Sequence, residues 1–276
     1  MKWEINHRTS YAYASPVRDS FNEARLQPFS DQWQNVESFA LNILPVARVH
    51  RHHDFYSNAV HHFEIPEPHD SLTVESCLRV TTTPRPPMAE TETPFPLARI
   101  ADAARDTRVF DFLQASRYVE LSPEVWRFAL DATDGVSDTW QAALALMRSV
   151  RSFLKYEPNS SHVHTSALEV LRGRQGVCQD FAHLMCSACR SIKLPALYVS
   201  GYLASETASA THAWVEVLIP GVGWRALDPT HDCQPDGTYV KIAVGRDYGD
   251  VSPLTGHYKG TRDRKMDVKV AIHRLE

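Results

Sequence analysis

The chain has 276 residues, 43% of them hydrophobic and 22% charged, which excludes disordered, collagen-like and coiled-coil classes. Its formal charge of −4 (29 Lys+Arg against 33 Asp+Glu) and lack of a basic block argue against a nucleic-acid partner. No apolar run is long enough to span a membrane, and the opening MKWEINHRTS has no apolar core of a secretory leader, so no membrane association is expected. Five cysteines, an odd count, form no disulfide framework and point to a reducing compartment, the cytoplasm.

The first 83 residues read mostly as strands. Met1–Tyr13, Ser38–Leu44, Ala59–Ile65 and Leu72–Thr81 are apolar or alternating, with breakers at Pro16, Pro28, Pro45, Ser57-Asn58 and Pro66/Pro68 between them. Short strands at this spacing predict an N-terminal antiparallel β-sandwich over residues 1–83. Residues 84–96, PRPPMAETETPFP, hold five prolines in thirteen positions and read as a domain linker. Residues 97–276 are then the second domain. Its first part is helical, most clearly over Ser137–Phe153, where Ser137 or Asp138 can cap and Trp140, Leu144 and Met147 recur at helical spacing.

The chemistry concentrates after Gly173. A helix is predicted over about Val177–Ile192, ended by Pro195, with Gly176 permitting an irregular approach. Cys178 therefore falls in the first helical turn. Unpaired amides and the positive end of the helix dipole favour an anion there, so a thiol loses its proton more readily and becomes the nucleophilic thiolate. The Cys178 N–H is also placed to donate to an oxyanion. A strand over Thr211–Ile219 puts His212, Trp214 and Glu216 on one face and Ala213, Val215 and Val217 on the other. Gly221 and Gly223 turn the chain into Trp224–Asp228, and an antiparallel hairpin brings Asp228 beside His212, with the Cys178 end of the helix expected against that face. Each residue then has a role: Cys178 as nucleophile, His212 as proton acceptor and donor, Asp228 as the group orienting the imidazole.

The segments GVCQDFAHL (176–184), LPALYVSGYL (194–203), HAWVEV (212–217) and GWRALDPTH (223–231) resemble those of the bacterial transglutaminase-like superfamily. Its pattern is Gly-x-Cys-x-Asp-(Phe/Tyr)-Ala, then His-Ala-Trp, then Gly-Trp-x-x-(Phe/Leu)-Asp-Pro-Thr. Residues 247–260 and the N-terminal stretches EARLQP (23–28) and DFYSNAVHHFEIPEPHDSL (54–72) also resemble bacterial members with a preceding β-rich domain, which are commonly labelled cysteine proteases from fold alone. The resemblance implies an α+β chain whose second domain is papain-like, a helix-borne Cys packed on an antiparallel sheet. It carries the nucleophile onto Cys178, the base onto His212 and the acid onto Asp228. It implies attack on a carboxamide or peptide carbonyl and an acyl thioester, resolved by water or by an amine. Hydrolysis of peptide or protein substrates leads, because transfer needs water exclusion and an amine site. Transglutamination or Gln deamidation is the alternative, and a non-catalytic interaction scaffold is the rival from another class. No cofactor and no metal are expected.

Around this centre, Asp180 can support the helix start, Tyr156 or Gln175 can supply a second oxyanion donor, and Trp214 and Trp224 can wall the cleft. His183, Cys186 and Cys189 read as core residues of the Cys178 helix; Cys186-x-x-Cys189 lacks a second ligand pair at zinc spacing. His50, His52, His53, His61 and His62 read as strand and turn histidines.

Overall fold

Alternation in the first strand decides what the N-terminal half packs against. Trp3, Ile5, His7 and Thr9 are buried while their neighbours are not, as a half-buried strand requires. In the computed structural model, which describes residues 1–89, 95–103, 107–204 and 209–275, this strand is β1 (Lys2–Gln27). It runs straight past Pro16. The missing N–H is tolerated because the ladder to the neighbouring strand is interrupted between Ala12 and Val17. It is followed by β2 (Gln34–Leu44), β3 (Val49–His53), β4 (Ala59–Ile65) and β5 (His69–Thr82). The sheet has the order β2-β5-β1-β4-β3 and curls into two halves that share β1. Tyr13, Val17, Ala24, Leu26, Phe63, Ile65, Leu72 and Val74 fill the space between them, so the expected sandwich takes the form of one curled antiparallel sheet.

The linker residues 84–89 lie against the second unit: the Met88 N–H donates to Gln234 Oε1 (2.8 Å) and Gln234 Nε2 to the Met88 carbonyl (2.9 Å). Residues 90–94 of the expected linker are outside the described residues. Beyond them come the single turn α1 (Ile100–Ala103), a 3-10 segment at 107–113, α2 (Pro123–Ala132) and α3 (Thr139–Phe153). Asp138, not Ser137, caps α3, accepting from the N–H groups of Trp140 and Gln141. Then follow β6 (Lys155–Tyr156), α4 (Ala167–Gly173), β7 (Gln175–Gly176) and α5 (Cys178–Ser191). The second sheet holds β8 (Ala196–Ala204), β9 (Ser209–Ile219), β10 (Gly223–Leu227) and β11 (Tyr239–Gly245) in the order β10-β9-β8-β11. After the short α6 (Tyr248–Val251), β12 (Leu254–Lys259) and β13 (Arg264–Arg274) both pair with β1. The chain end thus returns to the first sheet, whereas the sequence-based division assigned all of 97–276 to the second domain.

The two units share one core. Trp3, Ile5, Leu78 and Val80 of the first sheet join Phe181, Leu184, Met185, Ala188, Ala213, Val215 and Val217 of the second unit. Polar contacts seal the seam: His7 Nδ1 and the Tyr202 hydroxyl are 2.8 Å apart, and Asn58 exchanges two hydrogen bonds with the Val244 backbone, both 2.8 Å. His7 is buried there, which lowers its pKa to about 4.

Candidate active site

The first turn of α5 is built by a close approach. Gly176 has no side chain where an added Cβ would lie 2.5 Å from the Asp180 Cβ. Asp180, third residue of the helix, reaches back and accepts from the Val177 N–H (2.7 Å) and the Ser161 hydroxyl (2.5 Å). This is one arm of a capping box, since Val177 has no side-chain acceptor. Asp180 is fully buried and its carboxyl pKa is raised, first by burial. Cys178, half-buried, is the first residue of the same turn, at the dipole's positive end.

His212 comes from β9. Its strand neighbours alternate as the sequence predicts: Ala213, Val215 and Val217 join the core on one side and Trp214 the smaller cluster with Leu197, Val199 and Phe112 on the other. The body of α5 packs on the Ala213/Val215/Val217 side, and its Cys178 end reaches His212. β10 pairs with β9 only at residues 215–219, so no β10 strand covers the β9 edge at His212. Opposite His212 on β8 stands Gly201, where a Cβ would lie 2.2 Å from the Val240 carbonyl oxygen and 2.5 Å from the Trp214 ring. A glycine at that position lets Trp214 lie flat beside the imidazole, with centroids 6.3 Å apart at 24°.

Asp228 directly follows β10 and is wholly buried. Its carboxylate can only accept, which fixes the tautomers around it. The His212 Nε2–H donates to Oδ2 at 2.7 Å, leaving Nδ1 for the Cys178 thiol, the other hydrogen-bonding neighbour of the ring. The same oxygen accepts from His231 Nδ1–H (2.7 Å) and from the Tyr239 hydroxyl (2.7 Å), and Oδ1 accepts the Thr230 N–H (2.8 Å). Burial opposes a charged His212, but hydrogen bonds to Asp228 and Cys178 and their negative charge outweigh it, raising its pKa to about 9. Burial likewise opposes the Asp228 anion, and the donors His212, His231 and Tyr239 win, holding its carboxyl well below the usual range. Burial and the Asp228 charge push the Tyr239 hydroxyl up. The arrangement stabilises an imidazolium beside the buried Asp228 carboxylate.

Tyr156 is half exposed next to Cys178 and packs on Phe181 (6.3 Å). Burial and the Cys178 charge raise its hydroxyl pKa. Gln175 pairs with Lys155 in the short β6–β7 ladder, exposed at the approach to the helix. Trp214 is buried and stacks beside the His212 ring. Trp224 lies elsewhere, against Phe112 (5.4 Å), lining a cavity of about 550 Å³ with Phe29, Phe55, Tyr56 and Phe110. His183 is buried, accepts from the Tyr248 N–H (3.1 Å), and burial lowers its pKa to about 4. Cys186 and Cys189 are core thiols; burial pushes Cys186 up to about 12 and Cys189 higher still. His50 is exposed and stands opposite the half-buried His62, and His61 is buried against Phe39. Among the described residues, His212, Asp228 and His231 have ligand atoms within 4.8 Å of one another, but both imidazoles stand at hydrogen-bond distance from one oxygen, which is a proton-linked carboxylate cluster.

Sequence reasoning missed His231 and Tyr239. His231 follows Asp228 by three residues, a turn spacing that points it back; Tyr239 arrives on β11, across the sheet, with no local signal.

Fold and site together define a thiol–imidazole–carboxylate protein built on a helix start and an antiparallel sheet. Residues 3–81 match the bacterial transglutaminase-like N-terminal region and residues 127–229 the transglutaminase-like superfamily. The chain is 36% identical to an uncharacterized protein of Mycobacterium leprae, covering 99% of both, and 32% identical to one of Mycobacterium tuberculosis, covering 98% of this chain and 92% of the other. A stretch covering 32% of this chain is 34% identical to 15% of a protein-glutamine gamma-glutamyltransferase of Pseudomonas aeruginosa. A solved structure from Cytophaga hutchinsonii designated "putative cysteine protease" superposes with a TM-score of 0.81 at 23% identity, covering 100% of this chain and 91% of that one. The chain belongs to the transglutaminase-like superfamily. No helix among the described residues is long and apolar enough to cross a membrane.

Proposed function

We propose that the protein is a cysteine-nucleophile enzyme that cleaves amide bonds of peptides or proteins through an acyl thioester on Cys178. The observation that carries this reading is His212 held between the Cys178 thiol and the Asp228 carboxylate, its Nε2 2.7 Å from Oδ2. The Cys178 thiolate attacks the carbonyl carbon, and the oxyanion faces the Cys178 N–H, which as a first-turn amide has no partner within its helix. The His212 imidazolium gives its Nδ1 proton to the departing amine. His212 then takes a proton from water, whose oxygen attacks the thioester and releases the acid. Asp228 keeps its negative charge throughout and orients the ring. Hydrolysis leads because water is the abundant acceptor. An amine resolving the same thioester is the second reading, favoured by the likeness to the Pseudomonas gamma-glutamyltransferase. We place the protein in the cytoplasm, since all five cysteines are free thiols.

The test incubates wild type and Cys178→Ala with a diverse Gln-containing peptide pool, with and without a small primary amine, followed by mass spectrometry. Shorter peptides made only by wild type establish a peptidase. Amine incorporation at Gln establishes a transglutaminase, and Gln-to-Glu conversion a deamidase. Products that persist in Cys178→Ala overturn the mechanism, and no Cys178-dependent change moves the reading to a scaffold.

A further inference from the structure

We propose that His231 is a positioning residue of this site: it clamps the Asp228 carboxylate from the solvent side and so holds His212 with Nδ1 toward Cys178. The inference rests on the reading of Cys178, His212 and Asp228 as the reacting group. Three donors converge on Asp228 Oδ2, each at 2.7 Å, from β9 (His212), β11 (Tyr239) and the loop after β10 (His231). One donor would suffice to pair an imidazole with a carboxylate. The third does something else: the Asp228 side chain is 0% exposed and the His231 side chain 48%, so the His231 ring is the layer between the carboxylate and water.

The local sequence builds this clamp. Asp228 and Cys233 form a two-way backbone bridge (2.8 and 3.3 Å), and Asp232 takes the left-handed conformation (φ 53°). The loop between them is drawn tight, Asp228 Oδ1 gathers the Thr230 and His231 N–H groups (2.8 and 3.4 Å), and the His231 ring folds back onto the carboxylate. Its centroid lies 5.1 Å from that of His212. A surface histidine with no role has no reason to aim Nδ1 at a buried anion.

The titratable groups facing Asp228 are His212 from β9, Tyr239 from β11, and His231 and Cys233 from its own loop. Cys178 of α5 bears on it through His212, and Asp232 and Asp236 bear on Cys233. Removing the His231 ring admits water to Oδ2. The carboxylate gains freedom to turn, and its attraction for the His212 proton weakens in the wetter surroundings.

The experiment compares wild type, His231→Ala and His231→Asn, whose amide N–H restores a donor near the Nδ1 position. The first readout is the pH profile of Cys178 alkylation by iodoacetamide, followed by mass spectrometry. His231→Ala is expected to move the acid limb upward by about one pH unit, about tenfold slower labelling on that limb. His231→Asn stays within about twofold of wild type. The second readout is the far-downfield Nε2–H proton resonance of His212 in a Cys178→Ala background, expected to be lost in His231→Ala and restored by His231→Asn. An Ala profile that superimposes on wild type or moves downward, or an Asn variant no better than Ala, overturns the proposal. If His231→Ala does not fold, His231→Asn decides alone: a wild-type profile and resonance sustain the clamp, and a displaced profile overturns it. Because the resonance does not depend on the thiol, an unreactive wild-type Cys178 with a His231-dependent resonance refutes the nucleophile reading while the clamp stands.

Discussion

Asp228→Asn exchanges a carboxylate for a group of nearly the same shape, so what it changes is charge and donor pattern. Asp228 accepts on both oxygens: three donors on Oδ2 and the Thr230 N–H on Oδ1. An Asn has one acceptor and one donor side, so either orientation sets its NH₂ against a donor, at about 1–2 kcal/mol. The larger effect is on His212. Its rise from 6.5 to about 9 corresponds to about 3 kcal/mol of stabilised imidazolium, undiminished by screening because the pair is buried. A group raised on folding contributes fully below its unfolded value, so this term is present below pH 6.5 and lost as the pH climbs through about 9. Asp228 itself is depressed, so its share is present above 3.8 and lost as the pH falls. Urea unfolding of both proteins from pH 5 to 10 tests this. The variant should be about 4 kcal/mol less stable near pH 6, and the gap should narrow by about 3 kcal/mol by pH 10. A constant gap across the range, or none, would refute the ion-pair account.

Two other outcomes follow from packing. Gly201→Ala places a methyl 2.2 Å from a backbone oxygen and 2.5 Å from Trp214, so it should destabilise by at least about 2 kcal/mol and lower Cys178 reactivity by displacing the wall beside His212; an unchanged melting temperature would contradict the tight backing of that strand. Arg190, fully buried, donates to the carbonyls of Gln114, Ala196 and Arg246. Arg190→Met leaves those acceptors without donors and should cost about 3 kcal/mol in urea unfolding, with an unaltered midpoint refuting it.

Where the decisive interactions are local, the sequence is readable. Gly176 before Cys178 signals a helix start with a close approach, and the two-residue period over 212–217 assigns His212 and Asp228 to one hairpin face. The packing of the α5 body on Ala213, Val215 and Val217 was not readable, because Trp214 and its neighbours make both sides of β9 apolar. Nor was the return of Leu254–Lys259 and Arg264–Arg274 to β1, since strand pairing across the whole chain length leaves no trace in either segment alone. Pro16 misled because it breaks a regular ladder but fits the irregular stretch between Ala12 and Val17. Tyr239 reaches Asp228 from a non-adjacent strand, whereas His231 stood in the quoted GWRALDPTH and was legible from its three-residue spacing.

The proposed mechanism requires Cys178 to react as a nucleophile activated by His212, ahead of the other four thiols. Its most direct test is the rate of iodoacetamide labelling at each cysteine of the native protein at pH 6, resolved by peptide mass spectrometry. Cys178 should label fast, Cys77 and Cys233 slowly, their thiols raised by burial, and Cys186 and Cys189 not until the protein is unfolded. Uniform slow labelling, or a Cys178 rate unchanged by His212→Ala, would contradict it.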